Sequence, residues 1–163
     1  LATRRLIDDG CSRILCLRNN SRMRMPANKR TDAYYDVVEQ AGLPALVREV
    51  EFVKSDDEKS AVVAKILDEN PDIDGIFAGD DTMAAICLNV MKQRGLSAPD
   101  DIKVVGADGA RRTMTFMPDL TTVRQDIDRI GELAAQSIIA LVNGEKPESN
   151  IKLPVELIEG KTA

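Results

Sequence analysis

The chain has 163 residues, 44% of them apolar and 30% charged, enough for one domain that buries well over half of its unfolded surface. A formal net charge of −5 argues against gripping nucleic acid unaided, because phosphate binding runs on clustered Lys and Arg. There is no His, so neither a Ser/His/Asp triad, nor a Cys/His pair, nor a Cys/His zinc set can be assembled. Cys11, Cys16 and Cys87 are odd in number and match no zinc spacing, which fits free thiols in a reducing cytosol. No apolar run is long enough to span a bilayer and no signal sequence precedes the fold, so a cytoplasmic location is expected. The chain opens in mid-helix with "LATRRLIDDG" and has no initiator Met, as a piece of something longer would.

In chain order, helix and strand patterns alternate. "ATRRLIDDG" has helical spacing and stops at Gly10, and "RILCLRN" is a short apolar run suited to a buried strand. The basic stretch "RNNSRMRMPANKR" (residues 18–30) reads as a solvated loop, with an anion-facing role as the alternative. "RTDAYYDVVEQAG" places Ala33, Val37 and Val38 on one helical face and ends at Gly42. "LVREVEFV" alternates like a half-buried strand. In "SDDEKSAVVAKILDENP", Ser55 and Glu58 have capping-box spacing and Pro71 closes the helix. "DGIFAG" is a strand, "DDTMAAICLNVMKQRG" a helix ending at Gly95, and "IKVVGAD" and "LTTVRQ" further strands. "DIDRIGELAAQSIIALVNG" is a long amphipathic helix with a Gly144 stop, and "IKLPVELI" ends the series as a strand.

Short connections between alternating strands and helices mean parallel βαβ units, hence an α/β fold with a parallel sheet covered by helices on both faces. The helix from Asp81 to Arg94 is apolar nearly all round: Met83, Ala84, Ile86, Cys87, Leu88, Val90, Met91. A helix lying on a sheet needs one apolar stripe, so the excess predicts a second burial surface on a partner subunit, with complete burial in the core as the alternative.

Ligands of open parallel sheets bind beyond the carboxyl ends of the strands. Three segments put polar groups there: Asp80-Asp81 after "GIFAG", Asp108-Gly109 after "KVVGA", and Gln125-Asp126 after "LTTVR". Asp81 is expected to cap the following helix, leaving Asp80 to face a ligand. Asp108 suits either a ligand contact or a turn before Gly109, and Gln125 either a ligand contact or a bridge between backbones. "DIDG" (residues 72–75) matches the acidic signature of magnesium-dependent phosphohydrolases, and adjacent carboxylates do suit a hard cation. That signature, however, needs its nucleophile at the carboxyl end of a strand. Here the acids precede the strand, and no phosphate-cradling Gly-rich loop is present.

Taken in order, "DGIFAGDDTMAAICLNVMKQRGLSAPDDIKVVGADG", "PDLTTVRQDIDRIGELAAQSIIALVNG" and "IKLPVELI" closely resemble the ligand-binding domain of the lactose-repressor/galactose-repressor family. The opening "ATRRLIDDGCSRILCL" and the "RTDAY" segment extend the resemblance over essentially the whole chain. It implies a periplasmic-binding-protein-like fold and a bacterial transcription regulator, not an enzyme, that senses a sugar or sugar derivative. It implies no cofactor and no metal, a homodimer, and contact with DNA only through an N-terminal helix-turn-helix domain outside this chain. Residues 1–124 would form the second effector-binding subdomain. Residues 125–163 would hold the crossover helix and strand that pack on the first, so that the Ile127, Ile130, Leu133 and Leu141 face stays bare here unless another copy covers it. A transport component of the same fold is the runner-up.

By the same resemblance the effector contacts fall on Arg30, Asp80, Asp108 and Gln125. An aromatic that stacks on the sugar in some relatives falls near Lys54, with Phe52 close by. Ala33 stands in place of a usual Gly, and Ala107 where an aromatic often precedes the Asp. With Lys54 beside Arg30, an anionic effector such as a sugar phosphate or sugar acid becomes an alternative. The dimer interface is expected on Met83, Cys87, Met91, Met114 and Met117.

Overall fold

The computed structural model describes residues 1–20, 27–51 and 54–163. Among these described residues twelve elements follow one another: α1 (Ala2–Asp8), β1 (Ile14–Asn20), α2 (Ala27–Gln40), β2 (Leu46–Glu51), α3 (Asp56–Glu69), β3 (Gly75–Ala78), α4 (Asp81–Gln93), β4 (Lys103–Asp108), α5 (Arg111–Phe116), β5 (Thr121–Gln125), α6 (Ile127–Val142) and β6 (Val155–Ile158). The strands form one sheet in the order β2-β1-β3-β4-β5-β6. The first five are parallel and β6 pairs antiparallel with β5, Thr122 opposite Ile158.

Alternation along the strands sorts the core into two layers. Leu15, Leu17, Ile76, Ala78 and Val104 face α3 and α4, where Val63, Ile66, Met83, Cys87 and Met91 complete the cluster. Ile14, Cys16, Phe77, Val105 and Ala107 face the other way, onto Leu6 of α1 and Tyr34 and Val38 of α2. Each buried Val, Leu, Ile, Phe or Met among them contributes about 1.5–3 kcal/mol by leaving water.

Several local expectations are met and several corrected. Ser55 caps α3 in a full capping box with Glu58. In α2 the inward face is Thr31, Tyr34 and Val38, while Ala33 is exposed. Tyr34 decides this rotation, because its phenol donates to Ile14 O (2.7 Å) and accepts from Leu46 N (2.8 Å), stitching α2 to β1 and β2. α5 is a short helix that the sequence pattern did not announce. The surplus apolar surface of α4 is not left for a partner. Met83, Cys87 and Met91 are each at most 1% exposed, enclosed between the sheet and α3, so they do not form an accessible dimer interface. Of the expected interface set only Met114 and Met117 remain half-buried.

Residues 125–163 do not form one body. β6 rejoins the sheet, and Thr162 ties β4 to β5 by donating to Val104 O (2.7 Å) and accepting from Thr121 N (3.0 Å). α6, by contrast, buries none of its 16 residues. Its Ile127, Ile130, Ile138, Ile139, Leu141 and Val142 are all exposed.

Candidate effector site

At the carboxyl rim of the sheet, four parallel strands end close together and each delivers a polar group. β1 supplies Asn19, β3 leads through Gly79 to Asp80, β4 ends at Asp108 and β5 at Gln125. From α2, Arg30 reaches across the rim. Its Nη1 donates to Gly79 O (2.5 Å) and its Nη2 pairs with the Asp108 carboxylate. Gln125 Nε2 donates to the same Asp108 oxygen (2.6 Å). Asp108 thus gathers a guanidinium and an amide from two other elements, and it does so with φ at +108°, a region that non-glycine residues rarely enter. Strain of this kind, of order 1–3 kcal/mol, concentrates where surrounding structure over-determines the backbone.

The cap of α4 falls to the other member of the acidic pair than expected. Asp80 is the residue that caps α4: its Oδ1 accepts from Met83 N (2.8 Å). Its other oxygen accepts from Asn19 Nδ2. Asp81 is buried and accepts from Gly109 N (2.8 Å) and Thr122 Oγ1 (2.5 Å). Burial raises its carboxyl above the ordinary value, and the Thr122 and Gly109 bonds partly oppose that. The reason is positional. An N-cap has extended backbone, and Asp80 is the last residue with it (φ −153°, ψ 170°), so Asp81 is already helical.

Of the residues expected to contact a ligand, Arg30, Asp108 and Gln125 are joined directly, and Asp80 adjoins them through Gly79, whose carbonyl accepts from Arg30. Gln125 bridges side chains and not backbones. Lys54 stands past the end of β2, and among the described residues no side-chain bond joins it to this group; Phe52 lies outside the described residues, as do Ser21 to Pro26 of the basic stretch. Asn19 was missed by sequence reasoning. Its Oδ1 is buried without a hydrogen-bond partner among the described residues, an acceptor left open on the rim. The signal was its place, second from the end of a buried strand. Asp74 of "DIDG" accepts from Ser12 N (2.7 Å) and Arg13 N (2.8 Å), so it pins the α1–β1 connection at the opposite end of the sheet.

The rim is open. Two cavities, about 460 and about 770 Å³, adjoin it at Gln125, lined by Ile130, Leu133 and Leu153–Val155 in one case and by Gly109–Arg111, Arg124 and Val155 in the other. Chemically the group offers carboxylate and amide acceptors beside a fork of guanidinium donors, the set that adjacent hydroxyls of a polyol can satisfy.

A five-stranded parallel run with polar groups gathered at its carboxyl rim is how a binding-protein fold presents a ligand, and residues 3–163 match the family model for the periplasmic binding protein-like domain. The chain belongs to that family. Within it, the chain is 32% identical over 164 residues to the ribose operon repressor of Halalkalibacterium halodurans, covering 99% of this chain and 48% of that protein. The structure of the transcriptional regulator CelR–cellobiose complex superposes with a TM-score of 0.85 at 26% identity, over 99% of this chain and 50% of the other. A LacI-family regulator from Corynebacterium glutamicum gives 0.86 at 26% identity, over 99% and 61%. These relatives are transcriptional regulators, not enzymes, and the chain spans about half the length of the curated ones it matches. No described helix is long and apolar enough to cross a membrane.

Proposed function

We propose that this chain is the effector-sensing part of a LacI-type transcription regulator, taking a carbohydrate at the carboxyl rim and acting on DNA through a domain outside the 163 residues. The observation that carries the reading is the convergence of Arg30 and Gln125, from two other elements, onto one carboxylate oxygen of Asp108, with Asp80 and Asn19 beside them. Relatives that bear the names of a ribose repressor and a cellobiose-bound regulator support the ligand class. Among the described residues Arg30 already faces Asp108 and Asp80 has only neutral partners, so this group is acidic on balance and favours an uncharged, hydroxyl-rich effector over a sugar phosphate.

In this reading the effector bridges the rim and a second lobe that packs on the bare face of α6, which in turn makes residues 1–124 the effector-binding subdomain. Closure of the two lobes shifts the population of the DNA-binding state in the dimer. A thermal-shift screen of the parent-length protein against ribose, cellobiose, lactose and their phosphorylated or acidic counterparts tests it. A ligand at 100 times its Kd stabilises by about 2.7 kcal/mol. A neutral sugar should raise the melting temperature, and Arg30→Ala and Asp108→Ala should abolish the shift. A response confined to phosphorylated sugars, or one untouched by both substitutions, would sink the reading.

A further inference from the structure

We infer that Asp81 is the positioning residue of this rim: by holding Gly109 N it keeps the Asp108–Gly109 turn in the conformation that presents the Asp108 carboxylate to Arg30 and Gln125. An acid in the first turn of a helix is ordinarily a solvated partner of the helix dipole. Asp81 is instead 4% exposed, and a buried carboxylate is retained only where hydrogen bonds compensate it. Its two oxygens leave α4 for different strand ends. One takes Gly109 N beyond β4 and the other takes the Thr122 hydroxyl of β5.

The sequence "VVGADG" is shaped around that carboxylate. A Cβ at Gly106 would stand 2.5 Å from Asp81 Oδ1, so glycine there is the room the acid occupies. At Gly109, φ is +58° and a Cβ would come within 2.6 Å of Arg124 Cβ, so glycine lets the turn close against β5. Asp108 lies between these two points at φ +108°. Its side chain is fixed by Arg30 and Gln125, and the backbone that follows it is fixed by Asp81. Asp81 therefore acts on the ligand groups through the Gly109 amide.

The positioning itself is tested without any ligand; only its consequence for sugar binding rests on the effector-site reading. In the ¹³C,¹⁵N-labelled full chain, the one-bond Cα–Hα coupling of Asp108 distinguishes positive from negative φ, and the Arg30 Nε–H resonance reports the pairing. Asp81→Ala should move the coupling to that of ordinary negative-φ backbone and shift the Arg30 resonance. It should also weaken binding of a neutral sugar that stabilises the wild type by about tenfold or more, the loss expected for one charged hydrogen bond. Asp81→Asn keeps an acceptor for Gly109 N and can donate to Thr122, so it should preserve the coupling. If Asp81→Ala folds with both signals unchanged, the inference is overturned. Should that variant not fold, the wild type decides alone, because a Gly109 amide that exchanges as freely as an exposed loop amide also overturns it. Arg30→Ala separates the two readings: it should abolish sugar binding while the protected Gly109 amide stays as it is.

Discussion

α4 and α6 are both apolar helices begun by an aspartate cap, yet one lies at the centre of the molecule and the other outside it. Asp80 accepts from Met83 N at 2.8 Å and Asp126 from Arg129 N at 2.9 Å, so the two starts are chemically alike. Seven of the 13 residues of α4 are buried, and none of the 16 of α6. The difference lies in what surrounds them. α4 is held between the sheet and α3, whereas α6 leaves the sheet after Gln125 and returns only at β6. Local pattern makes both helices, and only tertiary context decides whether an apolar stripe is used. An exposed stripe of this extent is what marks an interaction face on a soluble domain.

The comparison can be broken first by hydrogen exchange. Amides of α4 should open only with the whole fold, about 5–15 kcal/mol, while those of α6 should open locally at a small fraction of that. Equal protection in the two helices would remove the contrast. Next come truncations. Met91→Ala should lower the unfolding free energy by about 2–5 kcal/mol in a denaturant titration, whereas Leu141→Ala should stay within about 0.5 kcal/mol. The caps give a smaller and sharper version: Asp80→Ala should reduce global stability by about 1 kcal/mol, but Asp126→Ala should reduce helix content by circular dichroism and leave the denaturation midpoint alone.

The last and finest effect depends on pH. Burial raises the Asp81 carboxyl above 3.8 in the folded chain, so the folded state holds this proton more tightly than the unfolded chain does. The stability that this group contributes is fully present below 3.8 and is lost as pH climbs through that value to the raised native one. Asp81→Asn should flatten that part of the pH–stability curve. An unchanged slope between the two proteins would show that Asp81 titrates as in water.

Much of the architecture was legible because strands and helices alternate with clear punctuation, and the Ser55–Glu58 capping box reads directly from spacing. What was not legible has physical causes. The rotation of α2 is set by the Tyr34 phenol reaching backbone of two strands, a long-range contact no helical period encodes. The sequence showed that α4 had apolar surface to spare but could not show that α3 lay over it. The rim was partly legible: Arg30, Asp108 and Gln125 stand where strand ends and the family resemblance put them. The division of labour between Asp80 and Asp81 was not, since it turns on a single residue of helix phase. Asn19 stood where the strand run "RILCLRN" overlaps the basic stretch, and only the parallel register of β1 with β3 brings it to Asp80.

The two layers of the core each carry thiols, two on one side of the sheet and one on the other. Cys11 and Cys16 lie with α1 and α2 on one side of the sheet, and Cys87 lies with α3 and α4 on the other. All three are buried, and burial pushes Cys11 up to about 11 and Cys16 and Cys87 up to about 12, so the fold both covers these thiols and disfavours the thiolate that alkylating reagents attack. Modification must then wait for the chain to open. Mass-resolved labelling of each cysteine would thus time the opening of one side of the sheet against the other, a pair of chemical clocks already installed in the natural sequence.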